Sequence, residues 1–134
     1  MSLAEENNNA DDVIIIPSVE EMIEINRRLG GSAINRGALD FILSKIESKR
    51  MDASRKKNVA KIAAIIWMDM IRQHPFVDGN KRAAAESMKL FLAKNGFRLD
   101  TSLAGMIYIS LKIANNEMGY DNLVGWIYER LVEG

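Results

Sequence analysis

The residues best suited to chemistry lie together in one nine-residue segment, His74-Pro75-Phe76-Val77-Asp78-Gly79-Asn80-Lys81-Arg82. It contains the only histidine of the chain, and histidine is the side chain that most readily exchanges a proton near neutral pH. Asp78 adds a carboxylate, and Lys81 and Arg82 add two cations. A base, a carboxylate and two cations in so short a segment favour acid–base chemistry on an anionic substrate.

The second half of this segment has the composition of an anion site. Asp78, Gly79 and Asn80 are turn-forming residues, and we expect Asn80 to cap a helix that begins there. The first amides of a helix have no internal partners and carry the positive end of its dipole, so they bind anions. Lys81 and Arg82 fall in the first turn, where cations are normally unfavourable, and a bound anion would offset that cost.

Asp78 stands next to these amides and could hold a metal. A single carboxylate beside phosphate oxygens is a common way to bind Mg²⁺, with water and the phosphates as the remaining ligands. With His74 as the base, the segment predicts transfer of a phosphate-containing group from a nucleotide to a hydroxyl.

Two apolar helices must position the segment. The preceding one is expected from about Lys56 to Gln73 and is apolar on most sides, which is typical of the middle of a bundle. Pro75 should end it near His74. The following helix is expected from about Asn80 to a stop at Asn95-Gly96. The site should therefore be a tight loop between two central helices.

Four more helices complete an all-α prediction. Ser18-x-x-Glu21 is a capping box, and Gly30-Gly31 should stop the helix that it begins. Helices are also expected over about 37–49 and 102–115, and a last one should be capped by Asp121 and carry Leu131 on its apolar face. Residues 13–16 could form an edge strand or a buried leading segment. The prediction is a six-helix bundle, with about twice the average helix content.

Composition excludes several classes of function. The chain has 134 residues, which fits one domain over 13–134 preceded by a disordered acidic tail over 1–12. Without cysteine and with one histidine, thiolate chemistry, disulfides and multi-histidine zinc sites are excluded. Lys plus Arg equals Asp plus Glu at 18 each, which argues against nucleic-acid or anionic-membrane partners. No run of 18 apolar residues and no secretory signal pattern occurs, so we expect a cytoplasmic protein.

The segment resembles the motif of the Fic/Doc family, which is roughly His-Pro-Phe-x-(Asp/Glu)-Gly-Asn-(Gly/Lys)-Arg, and every constrained position is present from His74 to Arg82. Further similarity, over Ser18 to Ile46 and Phe91 to Leu99, is to the death-on-curing (Doc) branch. The resemblance implies a Fic/Doc-like bundle that uses ATP and Mg²⁺. It also implies a site in which His74 is the general base and Asp78 the Mg²⁺ ligand, with phosphate bound by Gly79, Asn80, Lys81 and Arg82.

Two positions bear on which group is transferred. Relatives that transfer AMP have glycine after the motif asparagine and an arginine three residues beyond the motif arginine, where this chain has Lys81 and Ala85. Lysine is the Doc pattern, and it implies a toxin that passes the γ-phosphate of ATP to a hydroxyl of a target protein, the translation elongation factor that delivers aminoacyl-tRNA. Protein adenylylation on the same scaffold and a non-catalytic, partner-binding member remain as alternatives.

The resemblance also bears on partners and on two other segments. Phe76 is expected to plug the loop into the core, and residues 30–37 resemble a flap that holds the target segment extended. Ser2, Glu6 and Asn7 have the spacing of the family's self-inhibitory helix but lie in the polar tail. We therefore expect inhibition by a small antitoxin encoded nearby. Trp67 and Trp126 are expected to serve in packing.

Overall fold

The computed structural model describes residues 13–31, 35–49 and 51–134. Within these ranges the chain forms six helices and two short strands, in the order α1 (Val19–Arg28), α2 (Arg36–Glu47), α3 (Arg55–Gln73), α4 (Asn80–Lys94), β1 (Phe97–Leu99), α5 (Leu103–Ala114), α6 (Tyr120–Arg130) and β2 (Leu131–Glu133). The predicted all-α, six-helix architecture is confirmed, with the motif loop between α3 and α4.

Helix α3 runs through the middle of the bundle, as its sequence predicts. Every residue from Ile62 to Ile71 is buried, and α2, α4, α5 and α6 all pack against the helix. Trp67 is fully buried and donates a hydrogen bond from Nε1 to Ser110 Oγ over 2.9 Å. Its ring meets that of Trp126 edge-on at 5.9 Å, which confirms the packing role expected of both. None of the described helices is both long and apolar enough to cross a membrane.

The predicted helix ends are confirmed where local chemistry defines them. Ser18 Oγ accepts from the Glu21 amide at 3.1 Å, and the Glu21 carboxylate accepts from the Ser18 amide at 2.9 Å, which completes the capping box. Helix α4 ends at Lys94, and Gly96 follows with a left-handed φ of 84°. These ends fix the lengths of the helices that carry the motif loop.

The C-terminal part of the chain differs from the prediction. Helix α6 begins after Gly119, which makes no side-chain cap, so the prediction of Asp121 as the cap is wrong. Leu131 belongs to β2, which pairs antiparallel with β1 in the register Leu99 to Leu131. After the turn at Gly96, β1 runs back beside α4. If α6 had continued through Leu131, the backbone groups of β1 would have lost the strand that pairs with them, and the ladder satisfies these groups.

Residues 13–16 form no strand, so the edge-strand alternative is wrong. Ile14 and Ile16 are half-buried against the core. The Asn95 side chain takes the place of a partner strand: its Oδ1 accepts from the Ile15 amide at 2.7 Å, and its Nδ2 donates to the Ile15 carbonyl at 2.8 Å. The predicted acidic tail over 1–12, with Ser2, Glu6 and Asn7, lies outside the described residues.

Candidate active site

The motif loop begins with a residue in an uncommon backbone conformation. Helix α3 ends at Gln73, and His74 is its C-cap, with φ 49° and ψ 58° in the left-handed region. A side chain other than glycine pays a conformational cost there, and such residues cluster at functional sites. Pro75 prevents the helix from continuing, as predicted, and the His74 side chain is exposed to solvent.

The middle of the loop is anchored in the core. Phe76 is only 2% exposed and belongs to the main hydrophobic cluster, where the sequence expects a plug. Asn80 Oδ1 accepts from the Phe76 amide and Asn80 Nδ2 donates to the Phe76 carbonyl, both at 3.0 Å. The loop therefore closes on itself around the first residue of α4.

The expectation that Asn80 caps α4 is wrong. The N-cap is Gly79, with φ 74°, and Asn80 is the first helical residue. The physical reason is competition for the asparagine side chain, since it is occupied with Phe76 and cannot also reach the amides ahead of it. A glycine cap places no side-chain oxygen over those amides, and none forms a cap bond here.

The start of α4 has the geometry of an anion site. The first intrahelical hydrogen bond joins the Ala83 amide to the Gly79 carbonyl at 2.8 Å, so the earlier amides have no acceptor within the helix. Lys81 and Arg82 are exposed, and neither forms an ion pair with any residue in the described ranges. These amides and the two cations thus converge on one helix start.

Asp78 fits the role of a lone metal ligand. Its carboxylate is exposed and has no ion-pair partner among the residues described. No group of three or more acidic, histidine or cysteine side chains that could hold a metal by themselves occurs in those ranges. A divalent ion at Asp78 would therefore take its other ligands from a bound phosphate and from water, which is how Mg²⁺ is commonly held.

The expected flap is attached directly to the motif loop. The Asn35 amide donates to the Pro75 carbonyl at 2.9 Å, and Asn35 Oδ1 caps α2 by accepting from Ala38 at 3.1 Å. Gly30 and Gly31, the first residues of the expected flap, follow the end of α1. Residues 32–34 of the predicted flap lie outside the described residues.

A cavity of about 390 Å³ opens beside the two cations. Lys81, Arg82 and Ala85 form one wall, and Leu103, Met106 and Ile107 of α5 form another. Sequence reasoning missed the α5 wall, although a signal was present. Leu103, Ile107 and Leu111 recur every four residues on a face other than the core face, and they are 76%, 52% and 45% exposed.

Sequence reasoning also missed Asn26 of α1. This side chain is completely buried and donates from Nδ2 to the Asp78 carbonyl at 3.3 Å, across 52 residues of sequence. In the sequence it is only a polar residue at a core position of an amphipathic helix, and nothing local indicates its partner.

Comparison with known proteins adds one finding. A family model described as the Fic/DOC family matches residues 17–92, which is more than half of the chain and includes the whole motif loop. Neither the comparison with curated proteins nor the comparison with solved structures gave a match.

Proposed function

The chain belongs to the Fic/DOC family, and we propose that within it the protein is a Doc-like kinase that transfers the γ-phosphate of ATP to a serine or threonine hydroxyl of a target protein. Enzymes of this family generally modify proteins by transfer from a nucleotide. By resemblance to the death-on-curing branch, the target is the translation elongation factor that delivers aminoacyl-tRNA.

One observation carries the proposal: a helix start with no side-chain cap, flanked by an exposed histidine, an exposed carboxylate and two exposed cations. Phosphoryl transfer needs little covalent chemistry from a protein and depends on positioning and charge stabilisation. The amides of Gly79, Asn80 and Lys81 have no acceptor among the residues that the structure describes. With the guanidinium of Arg82, they supply donors for the oxygens of a phosphate group.

His74 acts as the general base in this proposal. The target hydroxyl oxygen attacks the γ-phosphorus, the bond to the β–γ bridging oxygen breaks, and ADP leaves. The hydroxyl proton passes to the His74 imidazole. Asp78 would hold Mg²⁺, which supplies charge neutralisation at the phosphates when it is bound. Phe76 and Asn80 keep these groups in register by fixing the loop to the core.

Lys81 and Ala85 support γ-phosphate transfer over AMP transfer. Lys81 places a flexible cation where a glycine would leave room for an α-phosphate close to the backbone. Ala85 removes the second arginine that would clamp the β- and γ-phosphates in the AMP-transfer orientation. Its methyl group lies instead in the wall of the 390 Å³ cavity. We assign this apolar cavity to the nucleoside, because its walls can contact a base and its volume lies in the range of small-ligand sites.

We also propose a small antitoxin as a partner, and a second groove supports this proposal. It has a volume of about 770 Å³ between α1 and α4 and shares Leu29, Glu86 and Lys89 with the cavity beside the cations. Its apolar floor includes Ile25 and Leu90, and Glu24 and Arg28 lie on its rim. An amphipathic segment that folds on binding would fit such a groove, and its end would reach the nucleotide cavity.

The decisive experiment identifies the transferred group. The purified chain is incubated with cell lysate, Mg²⁺ and ATP labelled at either the α- or the γ-phosphate, with the His74→Ala variant as the control. We expect the γ label alone to be retained on protein, and the modified target to gain about 80 Da for phosphate, against about 329 Da for AMP. Retention of the α label would replace the kinase assignment with protein adenylylation.

A further inference from the structure

Asn26 has no part in the roles described so far, yet it contacts the motif loop from inside the bundle. We propose that Asn26 is a positioning residue that orients the Asp78–Gly79 peptide, so that the Gly79 N–H points into the phosphate site. The inference rests on the proposed function for its catalytic consequence. It rests on geometry alone for its effect on anion binding.

The contact constrains the peptide directly. Asn26 Nδ2 donates to the Asp78 carbonyl at 3.3 Å. No peptide bond in the described chain is cis, and a trans peptide is planar with its C=O and N–H pointing in opposite directions. Because the Asp78 carbonyl points toward the Asn26 side chain on α1, the Gly79 N–H points away from α1. It is therefore directed toward the start of α4. Glycine has more accessible backbone conformations than other residues, so at Gly79, with φ 74°, this bond removes alternative orientations of the peptide.

Gly31 makes room for the amide of Asn26, and Gly79 lies in contact with it. A Cβ on Gly31 would lie 2.5 Å from Asn26 Oδ1 and 2.6 Å from Nδ2, which no side chain could accommodate without a shift. A Cβ on Gly79 would lie 3.4 Å from Nδ2, which is ordinary van der Waals contact and places Gly79 directly against the amide. The Asn26 amide is thus enclosed between the end of α1 and the cap of α4, and it has little freedom to leave the Asp78 carbonyl.

The burial of Asn26 indicates that its amide does more than fill space. The other buried residues of α1, Val19 and Met22, are apolar, and an apolar side chain would satisfy packing here too. Asn26 Oδ1 has no hydrogen-bond partner within the described ranges, so the amide does not belong to a closed polar network. Its described side-chain hydrogen bond goes to the motif loop.

The test replaces Asn26 with leucine, which has a similar size and cannot donate to the Asp78 carbonyl. The matched control is Asn58→Leu. Asn58 is also a buried asparagine that holds loop backbone, through the Asp52 amide and carbonyl at 2.6 and 3.0 Å. It lies at the opposite end of α3, about 24 Å along the helix from His74. Asn26→Ala is the second variant in case leucine prevents folding.

Three quantities are measured: the ¹⁵N–¹H shift of Gly79 during titration with inorganic tripolyphosphate, the tripolyphosphate Kd, and kcat/KM for ATP. In wild type, tripolyphosphate should shift the Gly79 amide. Asn26→Leu should abolish that shift, weaken tripolyphosphate binding about tenfold, and lower kcat/KM by about 10², the loss typical of one donor to developing charge. Asn58→Leu should retain all three properties.

Several results would overturn the positioning role of Asn26. Wild-type-like tripolyphosphate binding and Gly79 shifts in Asn26→Leu, or equal losses in Asn58→Leu, would overturn it, as would a Gly79 amide that tripolyphosphate does not move in wild type. If the wild-type chain transfers neither label but its tripolyphosphate binding depends on Asn26, the proposed function fails while the positioning role stands.

Discussion

The side chain of Asn80 bonds both polar groups of the Phe76 main chain, with two hydrogen bonds of 3.0 Å each. Phe76 in turn is buried in the core, and Asn80 is the first residue of α4. This pair therefore joins the start of α4 to the hydrophobic core through a single side chain. It also explains why Gly79, and not Asn80, takes the cap position.

Replacing Asn80 with alanine should loosen this closure and lower both stability and transfer. Each lost hydrogen bond contributes about 0.5–1.5 kcal/mol, so the free energy of unfolding in urea should fall by about 1–3 kcal/mol. The control is Asn122→Ala at an exposed position of α6, which should change the free energy of unfolding little. An Asn80→Ala chain as stable as wild type would show that the closure does not hold the loop.

His74→Ala should abolish transfer without unfolding the protein. The His74 side chain is exposed and has no hydrogen bond or ion pair to the described residues, so the thermal midpoint should change little. Loss of a general base should lower the transfer rate about 10²- to 10⁴-fold. The neighbouring exposed residue provides the control, Gln73→Ala, which should retain activity. A large fall in thermal midpoint with activity retained per folded molecule would contradict the assignment.

Asp78→Asn should make transfer depend on a much higher Mg²⁺ concentration. The amide keeps the shape of the side chain but lacks the charge that attracts a divalent ion. Titration of Mg²⁺ against initial rate should show a large shift of the midpoint and partial rescue. Asp40→Asn, a neutralised exposed carboxylate on α2, should leave the midpoint unchanged. Full wild-type activity in EDTA would rule out a metal at Asp78.

Substitutions of Lys81 should test the choice of phosphate. Lys81→Gly should lose most γ-phosphate transfer and could only weakly transfer AMP, because Ala85 still lacks the second cation. Lys81→Ala separates the loss of charge from the extra backbone freedom of glycine. Intact-mass measurement of the target reports the group transferred by each variant. Undiminished phosphoryl transfer by both variants would mean that Lys81 does not select the phosphate.

Glu21 should contribute stability that disappears in acid. Its hydrogen bond to Lys94, followed by its bond to the Ser18 amide, holds the pKa of the Glu21 carboxyl below its ordinary value. A lowered pKa stabilises the fold at pH values above the pKa of the unfolded carboxyl, about 4.3. This contribution is lost as the pH falls through the pKa of the folded carboxyl.

The measurement is the thermal midpoint from about pH 3 to pH 7, a range that includes the pKa of the unfolded carboxyl. Glu21→Gln should lower the midpoint at pH 7 and reduce its fall in acid. Glu47→Gln, at an exposed glutamate with no ion pair among the described residues, is the control. Parallel pH profiles for wild type and Glu21→Gln would refute the contribution.

Features that depend on a few neighbouring residues could be predicted from the sequence. The Ser18 to Glu21 capping box and the helix stop at Gly96 both depend on contacts within about one turn. The same holds for the end of α3 before Pro75, and the all-round apolar pattern of α3 indicated its central place. Local chemistry likewise identified the motif loop, with His74 to Arg82 as its candidate residues.

Features that depend on partners distant in sequence were decided by the tertiary structure. The β1–β2 ladder, the bond from Asn26 to Asp78 and the α5 wall of the cavity each join segments that carry no local sign of one another. The cap of α4 also depends on packing, although its partners are only four residues apart, because Asn80 bonds a Phe76 main chain whose position is fixed by the buried ring. A polar side chain bonds whichever group packing brings within about 3 Å, and that choice is made only when the helices assemble.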